Sequence, residues 1–151
     1  MASIIATAVV CDSYLLELLK GLHTDSDVYK IALYTSLASL DRSTTSYIGA
    51  SNEAIGPGYS AGGKVLTGFN ANLRSGIACL DFDSVKWDAV TLTVRKALIY
   101  NSTATGKNAV CVLIFSEDVS DAGGVLQITM PTPPLVFIQT FSKSSWYHCR
   151  Q

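Results

Sequence analysis

The sequence predicts a mainly β fold, an antiparallel β-sandwich or jelly-roll-like domain with one α-helix near the N-terminus. Runs rich in β-branched and aromatic residues recur at short intervals after residue 27, and turns rich in Gly, Pro or Asn separate them. Only one stretch has a clear helical period. With 151 residues, the chain has room for one domain, and we expect residues 1–151 to form it.

Residues 12–22 are predicted to form the helix. Four leucines recur there at i, i+3, i+4 and i+7, namely Leu15, Leu18, Leu19 and Leu22. Asp12 or Ser13 is expected to cap the start, and Gly21 suits a left-handed position near the end. We expect the leucines to cover the protein's own core, with docking of a partner as the alternative.

The strands are predicted from alternating or apolar runs. The alternating residues 28–34 form the first predicted strand. Further runs follow at 64–66, 78–82, 90–94, 97–100, 109–115, 125–129 and 135–141. Turn signals lie at 101–106, 121–124 and 131–134. Two runs, 109–115 and 135–141, are too apolar for a strand with a solvated face, so each is a central strand or an oligomer interface.

A glycine-rich stretch at residues 56–63, Gly-Pro-Gly-Tyr-Ser-Ala-Gly-Gly, predicts a shaped loop that organises the chain around it. With Lys64 it has the spacing of a phosphate-binding loop. Val65 stands where that motif needs Ser or Thr, and a strand rather than a helix is predicted to follow. We therefore interpret the stretch as structural. The preceding residues 35–52 are predicted to be a long connection, which is often an interaction arm.

Composition favours a protein that is covered by neighbours. Hydrophobic residues make up 48% and charged residues 15%, against about 25% charged in a typical soluble domain. The net charge is −1, and the charged residues are spread along the chain without a basic block. Neither nucleic acid nor a membrane is therefore an expected partner. The apolar residues 1–10 lack the positive region of a signal peptide, and glycines and prolines interrupt the uncharged run 122–142. Neither export nor a membrane span is expected.

No catalytic, cofactor-binding or metal-binding residue is predicted. The four cysteines contain no C-x-x-C pair and are expected to be reduced and mostly buried; they are Cys11, Cys79, Cys111 and Cys149. A zinc site built from Cys11, Cys149, His23 and His148 lacks ligand spacing. Neither histidine lies beside a nucleophile motif, so we do not expect an enzyme.

Two other groups of residues are candidate binding sites. Asp81, Asp83 and Asp88 lack a calcium-binding loop around them and are interpreted as a solvated edge. Four aromatic residues are interpreted as core or inter-subunit packing, with an aromatic sugar-binding surface as the alternative; they are Tyr34, Tyr59, Trp87 and Tyr100.

Four patterns spread through the chain carry a family resemblance. Residues 30–36 read K-x-A-L-Y-T-S, residues 53–63 read E-x-x-G-x-G-Y-x-A-G-G, residues 81–87 read D-F-x-x-x-x-W and residues 97–101 read A-x-I-Y-N. In this order they resemble a group of small virion structural proteins of tailed bacteriophages. The resemblance covers roughly residues 12–130. The C-terminal residues 142–151, with Trp146, Tyr147, His148 and Cys149, depart from the pattern.

The resemblance implies a non-enzymatic structural component of a phage virion, assembled in the host bacterial cytoplasm. A capsid decoration or cement subunit is the preferred interpretation. A neck, tail or baseplate protein is the first alternative, and a host-receptor or glycan-binding module the second. The expected partners are further copies of the chain, most simply in a trimer, and the major capsid protein or tail and neck proteins. The leucine helix, residues 35–52 and the Trp146–Tyr147 segment are the expected contacts.

Overall fold

The structure is a computed structural model that describes residues 2–130 and 136–138, with side chains described from residue 6 to residue 130. Its elements are β1 (Ala2–Val10), α1 (Asp12–Leu19), β2 (Tyr29–Tyr34), β3 (Lys64–Val65), β4 (Asn70–Arg74), β5 (Ile77–Asp81), β6 (Val85–Asn101), β7 (Ala109–Thr129) and β8 (Val136–Ile138). The strands pair antiparallel in two sheets. The predicted mainly β class with one N-terminal helix is confirmed.

The main sheet has five strands in the order β1-β7-β6-β2-β3. The long strands β6 and β7 form a hairpin at its centre, with Leu98 opposite Val112. On the other side of β6, Ala32 of β2 lies opposite Leu98. The apolar residues 109–115 lie between β1 and β6 and are nearly all buried, so they form a central strand, one of the two predicted possibilities.

The turn predicted at residues 121–124 is wrong, because β7 continues straight through it. Val90 of β6 lies opposite Gly124, and Thr91 lies opposite Ala122, so Gly123 is an extra residue between them. Gly123 has a φ of +79°, which glycine adopts without the steric strain of a Cβ. The glycines therefore mark a β-bulge within a strand rather than the end of one.

A second bulge lies within the paired strands β6 and β7. Each of these strands spans two of the predicted strands, 90–94 and 97–100 in β6 and 109–115 and 125–129 in β7. Between the pairs Val94–Val119 and Lys96–Ile114, β7 has four residues where β6 has only Arg95. The Arg95 guanidinium holds this bulge: its Nε donates to the Phe115 carbonyl oxygen at 2.9 Å, and another nitrogen lies 3.4 Å from an Asp118 oxygen. The strands continue on both sides of the bulge.

The second sheet has the order β4-β5-β8. Aromatic rings connect it to the main sheet: the Tyr29 ring stacks on Phe69 with centroids 5.4 Å apart and lies tilted against Phe82 with centroids 5.6 Å apart. The polar strand β4 and the N-terminal strand β1 were not predicted. β8 covers residues 136–138 of the predicted run 135–141. The other residues of that run lie outside the described part of the chain.

Both faces of the main sheet are covered where β2 and β6 pair. Neighbouring residues of a strand point to opposite faces. Asn101 lies beneath the end of α1, where it contacts His23, whereas Tyr100 lies beneath the residue 56–63 loop and donates to the Gly62 carbonyl oxygen. The largest fully buried side chains include Ile31, Leu33, Tyr34, Leu98, Ile99, Leu113, Phe115, Leu126 and Ile128. In the described part of the chain, no helix is long and apolar enough to span a membrane.

Candidate functional site

The helix presents leucines to solvent. Leu15 is 42% exposed, Leu16 54%, Leu19 87% and, just after the helix, Leu22 43%. We call these four residues the leucine face. The inward side of α1 carries Tyr14 and Glu17, both buried, and the half-buried Leu18. The prediction that the leucines at 15, 19 and 22 cover the core is therefore wrong.

The reason is that two stripes overlap in this helix. Tyr14, Glu17 and Leu18 have the spacing i, i+3, i+4, as do Leu15, Leu18 and Leu19. Periodicity alone cannot choose between two adjacent stripes. The polar partners beneath α1 select the stripe that contains Glu17.

Glu17 anchors the inward side of the helix. One carboxylate oxygen accepts a hydrogen bond from the Asn108 side-chain amide, and the other lies 3.4 Å from Nε2 of His23. Asn108 belongs to the connection between β6 and β7, so Glu17 ties the helix to the central hairpin. A buried carboxylate is stable only when it has such partners.

His23 completes this anchor through both of its ring nitrogens. The side-chain oxygen Oδ1 of Asn101 accepts hydrogen bonds from the main-chain N–H groups of Thr103 and Ala104, which fixes the direction of the side-chain amide. The Asn101 amide nitrogen then donates to Nδ1 of His23 at 3.2 Å and to Asp27 at 2.8 Å. Because Nδ1 is an acceptor, the proton is on Nε2, where it faces Glu17. The sequence placed His23 at the helix end but did not identify its partners.

The two ends of the helix are also held. The start is capped by Cys11 without a side-chain hydrogen bond, so the predicted cap at Asp12 or Ser13 is wrong. At the other end, Gly21 has a φ of +74°, as predicted, and α1 stops at Leu19 rather than at residue 22. The Leu22 N–H donates to the Glu17 carbonyl oxygen and the Gly21 N–H donates to that of Leu18, which is a Schellman motif. The leucine face is thus displayed on a fixed helix.

The predicted shaped loop at residues 56–63, which we call the glycine loop, is held in place by hydrogen bonds to one carboxylate. Glu53 lies at its centre and accepts hydrogen bonds from the Tyr59 hydroxyl at 2.6 Å, the Gly62 N–H at 2.7 Å and the Tyr47 hydroxyl at 2.9 Å. Burial and the adjacent Glu53 raise the pKa of Tyr47 to about 12, so its hydroxyl stays protonated and donates. The strand β3 follows the loop, as predicted. A phosphate-binding loop is instead followed by a helix.

The four aromatic residues that could form a sugar-binding surface are buried or half-buried. Tyr34, Trp87 and Tyr100 are buried, and Tyr59 is half-buried against the ring of Trp87, with centroids 6.1 Å apart. Stacking on a sugar needs an exposed ring face. These residues therefore form core packing, the preferred of the two predicted interpretations.

The cysteines that the structure describes are buried and form no cluster with other possible metal ligands. Cys11, Cys79 and Cys111 are free and buried, as predicted, whereas Cys149 lies outside the described residues. Burial is the main cause that raises the pKa of the Cys11 thiol to about 12, and the negative charge of the nearby Asp12 adds to it. The reactive thiolate form is therefore disfavoured. Within residues 2–130 and 136–138, no cluster of three His, Cys, Asp or Glu side chains could hold a metal ion.

Besides the helix, two other segments are expected to contact partners. Residues 35–52 contain no regular element, as predicted, and expose Leu37 and Ile48. The Trp146–Tyr147 segment lies outside the described residues. The leucine face is thus the largest group of exposed apolar side chains that the structure places on one element. No family model, curated protein or solved structure matches the chain.

Proposed function

We propose that this protein is a non-enzymatic structural component of a tailed-phage virion, with capsid decoration or cement as its role. The proposal combines the resemblance of the sequence to small virion proteins with one structural observation, the leucine face of α1. In this proposal, the leucine face seats on an apolar surface of the major capsid protein. The partners also include further copies of the chain, for which the expectation from sequence is a trimer, and the place of action is the virion.

The leucine face supports a protein partner rather than a small ligand. Three of its side chains project from α1 and the fourth, that of Leu22, follows just after the helix, whereas small-molecule sites are concave. Each leucine that becomes buried in a contact contributes about 1.5–3 kcal/mol from the apolar area removed from water. A helix with apolar residues on one side is a common recognition element for a protein groove.

The helix is also suited to bear load between subunits. Glu17 ties the helix to the central hairpin and the Schellman motif fixes the C-terminal end of the helix, so binding requires little ordering of the helix itself. Force on the leucine face would pass through Glu17 and Asn108 to the hairpin of β6 and β7. A cement subunit, which stabilises a shell by bridging capsomers, needs this kind of rigid contact.

The proposal is tested by adding the purified protein to capsids that lack it and measuring its copy number and the resistance of the particles to heat. We expect many copies per shell and a higher temperature of capsid disruption. Binding only to tail fractions, or at a single vertex, would replace the cement role by the neck or tail role. Binding to host cells but not to any particle would favour the receptor module instead.

A pair of variants tests the leucine face itself. Leu19→Glu places a charge at the most exposed position of the face, and Leu73→Glu makes the same change on β4, where the leucine is 76% exposed. We expect Leu19→Glu to reduce capsid occupancy at least tenfold and Leu73→Glu to leave it unchanged. Equal occupancy for both variants would show that another surface makes the contact.

A further inference from the structure

We propose that β1 pairs with β1 of a second copy of this chain, antiparallel and about a two-fold axis, so that two five-stranded sheets become one continuous sheet. This surface is separate from the leucine face. The proposal follows from the difference between the two edges of the main sheet, from the direction of the main-chain groups in β1, and from the side chains of that strand.

The edge at β2 and β3 is covered by the chain itself. The Leu66 N–H donates to the Tyr29 carbonyl oxygen at 2.9 Å, and the Ala54 N–H donates to that of Leu33 at 2.8 Å. The Leu33 N–H in turn donates to the Tyr59 hydroxyl at 2.9 Å. β3, which has only two residues, covers the positions between them. This edge has few main-chain groups left for another strand.

The edge at β1 is open over the described part of the chain. The Cys11 N–H donates to the Val110 carbonyl oxygen of β7 at 3.1 Å, whereas the next N–H, of Asp12, points outward and donates to the Arg42 carbonyl oxygen at 2.8 Å. Main-chain groups alternate in direction along a strand. The N–H and C=O groups of Ala6, Ala8 and Val10 therefore point outward, and no described residue pairs with them.

Residues 6–10 of β1 also lack the features that prevent strand pairing, because the register shifts of β1 against β7 all lie between Ala2 and Ala6. Sheet edges are usually protected by lysine, proline, a bulge or short length. The nine residues of β1 include no charged residue and no proline, whereas β3 has two residues, one of which is Lys64. Pairing through β1 consumes the only long open edge of the described main sheet, so the assembly closes at two copies rather than growing into a fibre.

A second copy fits this edge because the edge complements itself. In an antiparallel pair about a two-fold axis, each outward N–H of one strand meets a C=O of the identical strand. The three outward residues of the regular part, Ala6, Ala8 and Val10, give about three pairs of such hydrogen bonds. No like charges oppose each other, since the strand has none. The result is a dimer, or a multiple of a dimer, in place of the trimer expected from the sequence.

Amide hydrogen exchange in the full-length protein tests the pairing residue by residue. Thr7 and Val9 bond to β7 and are expected to be protected at every concentration, which makes them an internal control. The amides of Ala6, Ala8 and Val10 are expected to become protected as the concentration rises, in step with a doubling of mass in light scattering. A monomer, a dimer with fast exchange at these three amides, or a monomer in which they are already protected would each overturn the proposal.

Two variants complete the test. Ala8→Pro removes an outward N–H without touching a bond to β7, and Thr7→Lys places a charge on an exposed position of the strand. Each is expected to raise the dissociation constant of the dimer at least tenfold. Thr91→Lys, at an exposed position of the interior strand β6, is the matched control and should leave it unchanged. A Thr7→Lys protein that dimerises as well as Thr91→Lys would contradict strand pairing.

This test is distinct from the test of virion function. A protein that stays monomeric but still occupies capsids through the leucine face would overturn β1 pairing and leave the proposed function intact. A protein that dimerises through β1 but binds no particle would support β1 pairing and overturn the proposed function.

Discussion

The glycine loop and the helix α1 cover opposite faces of the same sheet in different ways. The glycine loop lies so close that a Cβ at Gly63 would come 1.8 Å from the Ile31 carbonyl oxygen. The helix touches the sheet through a few anchoring side chains, such as Glu17, and turns its leucines to solvent. The loop layer therefore serves the fold, whereas the helix layer serves the fold on one side and is available to a partner on the other.

The largest expected effect is at the point of closest approach in the loop layer. Gly63→Ala should lower the free energy of unfolding by about 4 kcal/mol or more, since the new Cβ would overlap main-chain atoms. Gly76→Ala is the matched control: its φ is also +79°, but nothing lies within 4 Å of its Cβ position, so it should cost only about 1–2 kcal/mol. Denaturant unfolding measures both. Equal losses would show that the loop can move away from the sheet.

The next effect concerns the acceptor at the centre of the loop layer. Glu53→Ala leaves two tyrosine hydroxyls and the Gly62 N–H without their acceptor and should cost about 3 kcal/mol. Combining it with Tyr59→Phe should give a coupling energy of about 1 kcal/mol, because the two residues share a hydrogen bond. Additive losses in urea unfolding would mean that this hydrogen bond contributes nothing to stability.

The helix layer should be more tolerant, even at its anchor. Glu17→Ala removes the acceptor of the Asn108 amide and of the His23 imidazole and should cost about 2 kcal/mol. Glu117→Ala makes the same change at an exposed position of β7 and should cost less than about 0.5 kcal/mol. Thermal unfolding followed by circular dichroism compares the two. If the two variants melted together, Glu17 would not be the anchor of the helix.

The smallest effect on stability is expected at the leucine face. Leu16→Ser and Leu19→Ser should shift the Tm by no more than about 2 °C, since both side chains are already exposed. Leu33→Ala is the contrasting control, because this leucine is fully buried and its truncation should cost about 2–5 kcal/mol. A large loss at Leu19 would mean that the leucines are covered in the free protein, as the sequence pattern predicts.

The sequence by itself determined the features that depend on neighbours along the chain. Alternation located β2, glycine marked the positive φ values of the glycine loop, and the leucine period located a helix that begins at Asp12. These are local properties, because backbone conformation and side-chain periodicity follow from adjacent residues. The mainly β class with one N-terminal helix follows from their sum.

The tertiary structure decided which surfaces are covered. The inward stripe of α1 was chosen by Asn108, 91 residues away in the chain. The glycines at 123 and 124 became a bulge rather than a turn because β6 runs alongside to pair with them. β1 became an edge strand only because β7 was there to receive it. Each of these outcomes depends on a partner distant in sequence, and a pattern within one segment carries no information about that partner.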